Sequence, residues 1–103
     1  MKKLTTLFLG AVMMVAAGTQ TFVGVVTDTM CGADHKAMKI SPDSKCVREC
    51  VRAGAKYALL VGREVYVLSD QRTPERFAAQ KVKVTGTLDA KSKTIAVASI
   101  EGA

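Results

Sequence analysis

The 103-residue chain has no tryptophan, only five other aromatic residues and a single histidine. It has no Cys-x2-Cys pair, so a thioredoxin-like redox centre has no sequence support. It has no Cys-x2-Cys-His either, which removes covalent attachment of a c-type haem. No apolar run reaches the roughly 20 residues that a membrane-spanning helix needs. No cysteine follows the N-terminal apolar stretch closely enough to carry a lipoprotein anchor, because the first, Cys31, lies well downstream. Internal repeats and low-complexity linkers are absent, so a single domain is expected. Beyond the first 18 residues the aromatics are Phe22, Tyr57, Tyr66 and Phe77. Phe22 and Phe77 read as core, and Tyr57 and Tyr66 as strand residues with polar tips. That leaves too little for the aromatic platform on which single-stranded nucleic acid stacks. The formal charge is +6, and it falls to about +4 without Lys2 and Lys3. The remaining basic residues are scattered, which reads as a solvated surface rather than a polyanion track.

Lys2 and Lys3 form a short positive segment, Leu7 to Ala17 is almost wholly apolar, and Ala16-Ala17-Gly18 is small. This is the layout of a secretory signal peptide over residues 1–18, leaving a domain over 19–103. The expected location is therefore periplasmic or secreted. In such a compartment disulfides form and persist. Three cysteines is an odd number, so at least one thiol is left over for another use.

Phe22 to Thr27 is β-rich and reads as a first strand ending at Asp28. Residues 28–56 then form an excursion that holds all three cysteines and the histidine. Ser41-Pro42-Asp43-Ser44 signals a helix start, with Ser41, Asp43 or Ser44 as the cap, and Gly54 signals its end. The spacing places Cys46, Val47, Cys50 and Val51 on one face, expected to pack inward. Tyr57–Val61 and Glu64–Leu68 read as a hairpin around Gly62-Arg63. Thr73-Pro74-Glu75 predicts a second short helix to about Ala79, capped by Thr73 and anchored by Phe77. Val82 to Leu88 alternates as a fourth strand, and Thr94 to Ile100 reads as a fifth that changes face near its end.

This order predicts a mainly β fold with two short helices: a five-stranded OB-like Greek-key barrel with a Cys/His-rich loop-helix insertion between strands 1 and 2. The stretch Lys81-Val82-Lys83-Val84-Thr85-Gly86-Thr87-Leu88 resembles the fourth strand of bacterial exported OB-fold proteins, in which a glycine-containing strand bends round the barrel. The motif Asp-Thr-Met-Cys-Gly…His…Cys-x3-Cys…Gly-Ala-Lys-Tyr-Ala-Leu resembles a group of small exported bacterial proteins of unassigned function. That second resemblance implies no activity.

Two readings of the cluster compete. Cys31, His35, Cys46 and Cys50 form a Cys3His set, suited to tetrahedral Zn²⁺ and, through its soft donors, to Cu(I). Met30 and Met38 are further soft donors. Alternatively Cys31 bridges to Cys46 or Cys50, and a loop of about 15–20 residues so closed is worth roughly 3 kcal/mol. The third cysteine then packs as a buried thiol, and His35 is a bystander. A Cys46–Cys50 bridge is disfavoured by geometry. A Cys31/His35 nucleophile pair is a distant option, and Asp28 and Asp34 read as turn and cap residues rather than acids. The expectation is a non-enzymatic module that holds Zn²⁺ or Cu(I), or else a disulfide-stapled domain that binds a protein or small ligand on the barrel face beside the insertion. No nucleic-acid partner and no stable membrane span are expected.

Overall fold

The computed structural model describes residues 18–30, 32 and 44–103. Residues 1–17 of the proposed signal peptide, Cys31, Asp34, His35, Met38 and the helix start at Ser41 to Asp43 lie outside the described residues. The described chain runs β1 (Gln20–Asp28), α1 (Ser44–Arg52), β2 (Tyr57–Val61), β3 (Glu64–Leu68), a 3-10 turn (Thr73–Phe77), β4 (Lys81–Asp89) and β5 (Thr94–Gly102). The fold is mainly β, with one α-helix and one 3-10 turn among the described residues.

The five strands close in a ring in the order β1-β2-β3-β5-β4, with β4 paired back onto β1. All pairings are antiparallel except β3 with β5. Strand β1 serves two neighbours. Its residues Gln20 to Val25 pair with β4, and Val25 to Asp28 pair with β2. The period-2 alternation sends Val26, Leu59, Leu68, Val82, Val84 and Ile95 into the ring, where all are buried. The ladder between β4 and β5 slips at Thr85/Gly86: Gly86 faces Val97 and Thr85 faces Ser99, so Ala98 has no partner. This bulge reverses the parity of β5. Ile95 and Val97 turn inward before it and Ile100 after it, while Ala98 and Ser99 are exposed.

The second predicted helix is instead a 3-10 turn that ends at Phe77. Thr73 is not its cap. Asp70 Oδ1 accepts the Arg72 and Thr73 backbone N–H groups at 2.9 and 3.0 Å, and the residue flanking the turn is Arg72. The segment is too short to sustain an α-helix, and its end is drawn into the sheet. Ala79 N–H donates to the Val26 carbonyl at 2.9 Å, and Val26 N–H to the Gln80 carbonyl at 3.0 Å. Pro74 and Ala78 are buried, and Phe77 packs half-buried against the core.

The Asp70 carboxyl is held below its ordinary range, foremost by the Thr73 backbone N–H and against an opposing effect of burial. A depressed folded pKa contributes stability that is present above the unfolded carboxylate range and lost as the pH falls through the folded value. Asp70→Ala is therefore expected to cost about 1 kcal/mol at neutral pH, the worth of a lost cap. In urea titrations the gap from the parent protein should narrow as the pH is lowered. A gap that widens in acid would overturn this account.

Candidate functional site

The excursion leaves and rejoins the ring through a clasped base. Thr29 N–H donates to the Lys56 carbonyl, and Lys56 N–H donates to Thr29 Oγ1, both at 3.0 Å. Buried Asp28 accepts the Met30 N–H on Oδ1 and the Gly32 N–H on its carbonyl, each at 2.8 Å. Asp28 thus makes the turn expected of it. Thr27 Oγ1 donates to the Gly32 carbonyl at 3.3 Å, and a side chain begun at Gly32 would lie 3.5 Å from Val65 of β3. The chain at Gly32 therefore lies across the outer face of β1–β3. This accounts for the full burial of Thr27, which points away from the ring interior.

Helix α1 returns the chain to the ring. Val47 is buried and Val51 half-buried, and both join the core cluster. The helix ends in paired backbone hydrogen bonds: Gly54 N–H to the Val51 carbonyl and Ala55 N–H to the Cys50 carbonyl, both at 3.0 Å, with Gly54 at φ +120°. This is the hydrogen-bond pattern of a Schellman ending, and it satisfies carbonyls that the last turn leaves open. The exposed Arg52–Glu49 ion pair at 2.9 Å adds little. Arg48 reaches the other way. Its Nε and Nη2 donate to the Glu75 carbonyl at 3.2 and 3.0 Å, tying α1 to the 3-10 turn.

That tie corrects the expected orientation of the thiols. Val47 and Val51 centre the buried stripe, and Arg48 and Cys50 flank it on opposite sides. Cys46 lies roughly 120° away around the wheel. Accordingly Cys50 is half-exposed and Cys46 is exposed, rather than both turning inward. The two thiols are one turn apart on a shared flank and are not joined to each other. Of the four predicted ligands, Cys31 and His35 lie outside the described residues. Among the described residues no three His, Cys, Asp or Glu side chains stand together so as to hold a metal ion. Among them, too, no helix is long and apolar enough to cross a membrane.

A second feature went unread in the sequence. Between α1 and the 3-10 turn is an open recess of about 470 Å³ lined by Arg48, Arg72, Thr73, Glu75 and Arg76. Arg76 lies over the Phe77 ring at 5.5 Å. Tyr57 is buried, and its phenol is pushed up, first by burial and then by the Glu75 charge. The only sequence signal for the recess is the Arg-Thr-Pro-Glu-Arg run, whose meeting with Arg48 depends on the fold.

No family model, curated protein or solved structure matches the chain.

Proposed function

We propose that the protein is a small exported module that carries a soft metal ion, Zn²⁺ or Cu(I), with Cys31, His35, Cys46 and Cys50 as donors. The observation that carries this reading is the accessibility of Cys46 and Cys50, one helical turn apart on a flank of α1 held outward by Val47, Val51 and Arg48. Thiolates so placed suit ion capture and release better than a closed structural site, which buries its donors. Met30 is 60% exposed and precedes Cys31 in the chain, adding a soft donor that favours Cu(I). In this reading the five-stranded ring is an OB-like Greek-key barrel over residues 19–103. The support is its strand order and the parallel pairing of β3 with β5. Residues 1–18 act as the export signal to the periplasm or beyond.

The alternative is the disulfide reading, which expects its leftover cysteine to be buried; Cys46 is exposed, so a Cys31–Cys50 bridge would leave an accessible thiol instead. The protein is then a stapled binding domain without a metal. Metal analysis and thiol counting on protein recovered from the periplasm separate the two. The metal reading expects one Cu(I) or Zn²⁺ per chain and three titratable thiols after its removal. It also expects affinity to fall by at least about a hundredfold in Cys46→Ser and in His35→Ala, since even outer partners of a metal site are worth 10–100-fold. One titratable thiol, no metal and an unaltered His35→Ala variant would establish the staple instead.

A further inference from the structure

We propose that the recess between α1 and the 3-10 turn binds the phosphate group of a small soluble phosphomonoester or free phosphate. Three guanidinium groups, Arg48, Arg72 and Arg76, line it against one carboxylate, Glu75. Guanidinium forks match phosphate oxygens in charge and geometry. Two of the three are already placed by the chain itself. Arg48 is fixed on the Glu75 carbonyl, and Arg76 lies over the Phe77 ring. Binding therefore orders fewer long side chains than it would on a bare basic surface, and the loss of side-chain freedom is smaller. A recess of about 470 Å³ has the size of a small-molecule site. Among the described residues Phe77 is the one ring placed against a lining side chain, so a phosphodiester polymer has little to stack on. The recess lies on the opposite flank of α1 from Cys50, so it is independent of the thiols.

The test is a chemical-shift titration of ¹⁵N-labelled protein with inorganic phosphate and, separately, glycerol 3-phosphate, with ionic strength held constant by chloride. Saturable shifts centred on Arg48 and on Arg72 to Arg76 are expected. Arg72→Gln/Arg76→Gln should weaken binding at least about tenfold, because two of the three cationic forks are gone. Glu75→Gln should tighten it about threefold by removing the opposing charge. Its backbone carbonyl still holds Arg48, so this gain is one that a poorly folded variant does not produce. Shifts spread over the lysine-bearing surface without saturation would overturn the proposal. So would equal affinity in the double variant, weaker binding by Glu75→Gln, or saturation only by anionic phospholipid vesicles or single-stranded oligonucleotide.

Discussion

Gly86→Ala is expected to destabilise the protein by about 3 kcal/mol or more, at the upper end of what overpacking costs. A Cβ at Gly86 would lie 2.3 Å from the Ala96 carbonyl oxygen and 3.0 Å from Ile95 Cγ2. The first of these is backbone in the facing strand, so no rotamer change relieves it. Nor can the strand give way cheaply. Gly86 sits where the β4–β5 ladder slips, and this bulge turns Ile100 toward the core. Pushing β5 outward at Ala96 disturbs buried Ile95 and with it the β3–β5 pairing, which is only two residues long. That short parallel contact is what closes the ring. Gly24 presents the same problem on the other side, with its Cβ 2.3 Å from the Leu60 carbonyl oxygen where β1 passes from β4 to β2. Gly62→Ala is the informative comparison. Nothing lies within 4 Å of its Cβ, and its only burden is φ +63°. The expected cost there is about 1–2 kcal/mol. Urea midpoints of the three variants check this. A Gly86→Ala loss no larger than that of Gly62→Ala would show that the strands are not held at this distance.

Strands β2 and β3 were legible to the residue because short runs of β-branched and aromatic residues flank an unambiguous Gly62-Arg63 turn. Gly54 likewise announced the end of α1. The 3-10 turn was misread because Thr73-Pro74-Glu75 carries the signature of a helix start. What decides the matter is Ala79 hydrogen bonding to Val26, a contact across 53 positions of sequence. The thiol-bearing face was misread for a similar reason. Periodicity alone groups Cys46 with Val47, Cys50 and Val51. The rotation of the helix is set by Arg48 reaching a backbone carbonyl in the 3-10 turn. Backbone acceptors have no sequence signal, and so the arginine recess was invisible as well. Local chemistry marked where unusual residues cluster, while tertiary hydrogen bonds decided which way they point.

The same rule gives the second large effect, at Gln71, an unremarkable residue in the polar stretch after β3. The β2–β3 pairing stops at Ala58 and Val67. Gln71 continues it with a side chain. Its Oε1 accepts the Tyr57 N–H at 2.8 Å, and its Nε2 donates to the Tyr57 carbonyl at 2.9 Å and the Leu68 carbonyl at 2.8 Å. Gln71→Ala strands three backbone groups beside two buried residues, at about 1–3 kcal/mol for each that water does not reach. Because Gln71 is half-buried, a total of about 2–3 kcal/mol is expected. Faster exchange of the Tyr57 amide should accompany the loss, next to the Thr29–Lys56 clasp at the base of the excursion. Gln71→Glu sharpens the test. The carboxylate still accepts from Tyr57 N–H but faces two carbonyl oxygens with no proton to give. Folding then favours the protonated acid, and the folded pKa rises above the unfolded one. A raised acid pKa means stability that is greatest in acid and is lost as the pH climbs through the folded value. The stability of Gln71→Glu relative to the parent protein should therefore improve on acidification, while Gln71→Ala tracks the parent. A Gln71→Glu variant as stable as the parent at neutral pH would mean that the amide does not bridge these strands.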